Sequence, residues 1–229
     1  MEQTLSLRKT ARLTGLLYFI LAIMGVFCLM YLPSQTVVQG DSVATCQKIL
    51  SNEFIYRIGI AVSVTSNILY VFLALLFYRL FKNVNERLAA LLVIFVLVQT
   101  PISFIFDTLD ITSLLILKGE VMKFLSVQQA QEYSILLRKI ISHGITMMEL
   151  FWGLWLIPMG ILIYRSGFIP RIIGVLVLIT AFAYPAVTIT FILFPDYVHS
   201  VEMFAFPAFF GELAIIFWLL IKGVKKGYN

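Results

Sequence analysis

Long apolar runs, separated by short polar connections, set the pattern of this chain. The runs cover residues 13–32, 54–81, 88–110, 141–164, 172–194 and 203–221. Each is long enough to read as a transmembrane helix, because a hydrocarbon core of ~30 Å takes about 20 residues of α-helix. The predicted fold is all-α: a polytopic integral membrane protein, one transmembrane domain over residues 1–229, built as a six-helix bundle.

The connections refine this picture. The first span is expected to stop at Pro33, and Gly40-Asp41 signals a turn ahead of a short amphipathic helix over Val43 to Leu50. The second span is interrupted in polarity by Ser63, Thr65, Ser66 and Asn67. A basic turn, Lys82 to Arg87, leads to the third, which passes Gln99-Thr100-Pro101 and reaches Asp107 and Asp110 near its far end. Pro101 removes a backbone hydrogen bond and is expected to kink that helix. Ser126 and Gln129 have capping-box spacing. A helix running from there to Arg165 would be about 58 Å long at 1.5 Å per residue. Its first part, Ser126 to Ile140, must either project from the membrane or bend at Gly144 and lie on its surface. Pro185 lies inside the fifth span, and the stretch Pro195 to Glu202, with Asp196 and His199, reads as a loop.

Composition agrees with the pattern. The chain is 61% hydrophobic and 13% charged, with mean hydropathy +0.98, whereas an ordinary soluble domain is about a quarter charged. The net charge of +5 comes from residues at helix ends and not from one patch, so nucleic acid is not an expected partner. With both termini cytoplasmic, Arg8, Lys9, Arg12, Arg79, Lys82, Arg87, Arg165, Arg171, Lys222, Lys225 and Lys226 share one side. The other side carries Lys48, Arg57, Lys118, Lys123, Arg138 and Lys139. The positive-inside rule then puts both termini in the cytoplasm. Arg8, Lys9 and Arg12 before the first apolar run superficially resemble a signal peptide. The run is too long and lacks a cleavage site, so it is expected to remain as the first span. Cys28 and Cys46 are not expected to pair, since the loop between them would have to fold back.

Three helices open on a similar phrase: RLTGLLYF from Arg12, RLAALLVI from Arg87, RIIGVLVL from Arg171. Glu149-Leu150 precedes Trp155-Leu156 by the same interval at which Glu212-Leu213 precedes Trp218-Leu219. Three consecutive hairpins of similar plan would produce this, and so would the common needs of membrane helices: basic anchors, small packing residues and leucine. Counted from the cytoplasmic ends at 1.5 Å per residue, Glu212 lies about 15 Å deep, Asn67 and Gln99 about 18 Å, Tyr184 about 20 Å and Glu149 about 24 Å. Asp107 and His143 come at about 30 Å or more. These seven residues are the candidate ligand site, a polar band expected to line a cavity opening outward. The alternative for Asn67 and Gln99 is hydrogen-bonding between helices, and for Asp107 and His143 a place at the wet interface. Arg57, Arg138 and Lys139 read as headgroup anchors. A mid-span carboxylate needs a partner or a proton, so Glu149 or Glu212 is expected to bond Asn67, Gln99 or Tyr184.

The segments RKTARLTGLLYF (Arg8 to Phe19), WGLWLIPMGILIYRSGFIPRIIGVL (Trp152 to Leu176) and PAFFGELAIIFWLLIKGV (Pro207 to Val224) resemble a bacterial membrane family known as domain of unknown function 4386. The resemblance implies a six-helix membrane protein and brings no activity, cofactor or catalytic residue. Three functions remain open. The first is binding or transport of a small or lipophilic molecule, and the second a non-catalytic membrane partner or scaffold. The third is an intramembrane metal enzyme using Asp107, Asp110, His143 and Glu149. No phosphate loop, nucleophile elbow, CxxC or HExxH is present, and no cofactor is implied.

Overall fold

The computed structural model describes residues 2–205 and 210–224, and these are almost wholly helical, with no strand among them. The helices are α1 (Glu2–Val26), α2 (Leu32–Thr36), α3 (Ser42–Ser51), α4 (Glu53–Phe81), α5 (Glu86–Leu117), α6 (Val127–Ser166), α7 (Arg171–Leu193), α8 (Val198–Ala205) and α9 (Phe210–Ile221). Among the described residues, five stretches are long and apolar enough to cross a membrane: Leu7–Thr36, Glu53–Phe81, Glu86–Leu117, Val127–Ser166 and Arg171–Leu193. The apolar Phe210–Ile221 is shorter. Large apolar side chains stand exposed along them, such as Ile105 at 57% and Phe182 at 66%, a surface that water would penalise and lipid does not. The chain is an all-α polytopic membrane protein.

Several boundaries differ from expectation. The first helix does not stop at Pro33. A π-helical segment, Phe27–Tyr31, precedes it and the helix resumes as α2, ending where Val37 turns extended. The wider winding is the usual way a helix absorbs such an irregularity. α5 runs seven residues past Asp110 to Leu117, because the sequence after Asp110 stays apolar. Pro195 to Glu202 is not a loop: Pro195–Tyr197 forms a 3₁₀ turn and α8 begins at Val198. The sixth predicted span, 203–221, partly falls on residues 206–209, which lie outside the described residues, as do Pro207 of the family-like closing segment and Lys225 and Lys226 of the tail. α6 is a single 40-residue helix through Gly144, about 60 Å long at 1.5 Å per residue. That is twice the ~30 Å of a hydrocarbon core, which is too thin to contain all of it along the membrane normal.

Local chemistry accounts for the helix ends. Ser126 and Gln129 cap α6 reciprocally: the Gln129 N–H donates to Ser126 Oγ (3.3 Å) and the Ser126 N–H to Gln129 Oε1 (2.9 Å). Asp41 Oδ1 accepts from the Ala44 N–H at the start of α3, and Asn85 Oδ1 from Leu88 at the start of α5. The turn between α6 and α7 depends on Gly167 at φ +69°, a backbone shape that side chains disfavour.

The chain forms two compact units. The first comprises Met1–Ile20, Leu69–Gln99 and Thr146–Asn229. Its backbone is the α6–α7 hairpin, packed along a seam of small residues spaced seven apart: Thr146, Gly153 and Gly160 on α6 against Thr188, Ala181 and Gly174 on α7. The Thr188 hydroxyl donates to the Thr146 carbonyl (2.7 Å). A Cβ on Gly153 would lie 2.6 Å from Ala181 O, and one on Gly174 2.8 Å from Gly160 O. A seven-residue repeat on antiparallel helices keeps one seam in register, and small residues let membrane helices approach closely. Gly153 meets the carbonyl of Ala181, which Pro185, four residues on and lacking an N–H, cannot bond. α9 lies against α7 through Gly211 beside Leu176 O, and against α1 through Gly15 beside Leu220 N.

The second unit comprises Leu21–Ile68 and Thr100–Ile145. Its core is Ile49, Tyr56 and Leu114, with Ile60, Ile111 and Leu117 around them. The expected amphipathic helix is α3, tied back to α2 by Lys48 Nζ on Ser34 O (2.8 Å) and Asn52 Nδ2 on Gln35 O (3.1 Å). α6 remains helical through Gly144, which makes room for the Phe106 ring.

Candidate functional site

In the first unit three helices converge on one carboxylate. Glu212 stands in the first turn of α9, in the apolar sequence FGELAIIFWLLI. Tyr184 of α7 donates to its Oε1 at 2.8 Å, and Tyr18 of α1 donates to its Oε2. The hydroxyls satisfy one oxygen each, and no ion pair among the described residues includes Glu212. Aromatic rings build the surroundings. Trp155, 1% exposed, lies 6.0 Å from Tyr18 and 5.1 Å from Tyr70, centroid to centroid, and Trp152 meets Tyr184 edge-on at 5.6 Å. Tyr18 and Trp155 are buried, whereas Glu212, Tyr184, Tyr70 and Trp152 are only half-buried.

The second unit holds a separate polar set. Asn67 Nδ2 donates to Asp107 Oδ2 at 2.9 Å, and Ser63 also bonds that carboxylate. Three residues on, Asp110 accepts from the Tyr56 hydroxyl (2.7 Å), and the Arg138 guanidinium donates to the same hydroxyl (2.6 Å) and lies 3.7 Å from Asp110. Arg138 is therefore an internal partner and not the headgroup anchor its position suggests. Arg57 bonds Glu53, which also pairs with Lys118.

The seven candidates distribute as follows. Tyr184 and Glu212 bond directly, and Asn67 bonds Asp107. Gln99 is buried at 3% exposure and lies within bonding range of Tyr70. Glu149 is half-buried on α6, within electrostatic range of Glu202 and of Tyr184. His143 is exposed on α6. Asp107, Asp110 and His143 do not converge: no three His, Cys, Asp or Glu side chains among the described residues are placed to share a metal ion. Sequence reasoning missed Tyr18, Tyr56 and Tyr70, since a tyrosine in a span gives no sign of which carboxylate it will bond. Cys28 and Cys46 are free. Burial pushes the Cys46 thiol up, which slows alkylation there.

An apolar exterior, long helices and ionisable groups held between spans define a multi-pass α-helical membrane protein. The sequence model of the family described as Domain of unknown function (DUF4386) matches residues 13–223, and the chain belongs to that family. It is also similar to an uncharacterized protein of Archaeoglobus fulgidus, 36% identical over 76 residues. That match spans 33% of this chain and 44% of the archaeal protein. No solved structure matches.

Proposed function

We propose that this protein binds a small or lipophilic molecule among its spans, and carries it into or across the cell membrane, through a polar cavity open to the outside. The observation that carries this reading is Glu212. A carboxylate on an apolar helix is costly, and a scaffold could fill the same position with leucine. Here two tyrosines from two other helices are spent on it, and it stays half-buried. The experiment is native mass spectrometry of protein released from lipid nanodiscs, wild type against Glu212→Gln. The wild type is expected to carry a non-lipid or lipid-like adduct that the variant loses. Identical spectra, with bulk lipid alone in both, would sink the reading in favour of a membrane scaffold.

The same reading has both termini cytoplasmic, in the inner or plasma membrane, on the strength of the Lys and Arg distribution. Single cysteines placed in 82–87 or 166–170, in a background lacking Cys28 and Cys46, are expected to resist an impermeant maleimide in intact cells. Cysteines in 37–41 are expected to react. Labelling of the 166–170 turn in intact cells would reverse the orientation.

A further inference from the structure

The site around Glu212 also carries a chemical preference. We infer that it recognises an organic cation, a lipophilic amine or quaternary ammonium or phosphonium ion; this rests on the binding reading above and names its ligand class. Glu212 supplies one negative group, held by Tyr18 and Tyr184. Close to it stand the half-buried rings of Trp152 and Tyr70, backed by the buried Trp155, and aromatic rings attract cations most strongly where water is scarce.

The approach to the site has the same sign. Glu202 is exposed on α8 and interacts electrostatically with Glu149 on α6. Glu149 in turn acts on Tyr184, whose hydroxyl bonds Glu212. Three carboxylates of the first unit, Glu202, Glu149 and Glu212, thus lie in this neighbourhood, the first of them exposed. Clefts lined by one sign of charge focus the field and raise the local concentration of the opposite ion. The basic residues of α6, α7 and α9 stand ten or more residues from these groups, Lys139 being ten before Glu149, and on α1 Arg12 lies six residues from Tyr18. Lys222 is ten residues from Glu212, Arg171 thirteen from Tyr184 and Arg165 sixteen from Glu149, or about 15, 20 and 24 Å of helix. At the Glu212 carboxylate itself no ion pair among the described residues offsets the charge, so a cation gains there what an anion or a neutral lipophile does not.

The test uses three probes of nearly one shape and different charge: tetraphenylphosphonium, tetraphenylborate and neutral triphenylphosphine oxide. Binding to the full chain in nanodiscs is read by equilibrium dialysis, with tryptophan quenching as a second signal. Tetraphenylphosphonium alone is expected to bind saturably. Glu212→Gln is expected to raise its Kd about tenfold or more, a loss of about 1.4 kcal/mol, and Glu149→Gln to raise it by a smaller factor. Should Glu212→Gln fail to fold, Trp152→Leu and Tyr184→Phe carry the same test, each expected to weaken phosphonium binding. Unchanged phosphonium affinity in all folded variants overturns the assignment. Saturable, Glu212-dependent binding of the borate or the oxide overturns the cation preference and leaves the binding reading intact. Saturation by none of the three overturns both.

Discussion

Gly174→Leu is expected to yield no folded protein. A single Cβ at this position would lie 2.8 Å from Gly160 O, 2.8 Å from Tyr164 N and 3.1 Å from Tyr164 Cα. All three are main-chain atoms of α6, so no rotamer change relieves the clash, and the two helices must separate. Separation would open the seam at Ala181 and Thr188 as well, because the three pairs share one register. Overpacking a well-filled interior costs about 1–3 kcal/mol when neighbours can adjust, and net stabilities are only about 5–15 kcal/mol. Gly174→Ala is accordingly expected to lower the melting temperature clearly, and leucine to abolish a monodisperse peak in fluorescence-detected size exclusion. Gly25 is the control. A Cβ there meets nothing within 4 Å, and Gly25→Ala is expected to be neutral or to gain up to about 1 kcal/mol, from the helix propensity of alanine over glycine. A monodisperse Gly174→Leu with wild-type melting would refute the close-packed seam.

That seam shows what hydropathy reveals and what it does not. Apolar runs mark spans because every stretch of lipid-facing helix must be apolar, and the local signals of Ser126 with Gln129, or of Gly167 before Pro170, mark ends because they satisfy backbone groups close by in sequence. The spacing of Thr146, Gly153 and Gly160 was also in plain view. Its meaning depends on the matching series 174, 181 and 188 on another helix, and pairing between helices leaves no mark in either run alone. The boundaries that differ have a common cause. Pro33, Asp110 and the Pro195 stretch each looked like an end because proline or charge usually stops an apolar helix. In the structure a π-helical segment absorbs the first, a tyrosine and an arginine the second, and a 3₁₀ turn the third. The candidate site was legible to the same degree. The carboxylates and Tyr184 stood out as polar letters in apolar runs, whereas nothing local to Tyr18 or Tyr70 in the sequence links them to Glu212.

Arg138→Met is expected to destabilise the protein by about 2–3 kcal/mol, between the ~0–1 of an exposed pair and the ~3–5 of a buried one. The side chains of Arg138 and Asp110 are 20% and 29% exposed, so water screens them in part. Tyr56, 2% exposed, lies between them. Its hydroxyl donates to Asp110 and accepts from Arg138, and its ring lies 5.3 Å from the guanidinium carbon. Removing the arginine leaves a carboxylate against the apolar core of Ile49 and Leu114 with only a tyrosine to hold it. The added cost is that of the unpaired charge, not of the lost contact alone. Asp110→Asn in the same chain removes that charge, so the double variant is expected to be more stable than Arg138→Met by about 1 kcal/mol or more, a coupling typical of groups in one network. Arg138→Lys keeps the charge without the guanidinium's fork, and is expected to fall between wild type and Arg138→Met. Reversible unfolding in dodecyl sulfate, with the four corners of the cycle measured side by side, gives the coupling directly. Additive effects at Arg138 and Asp110, or an Arg138→Met variant within about 0.5 kcal/mol of wild type, would return the arginine to the role of a surface anchor.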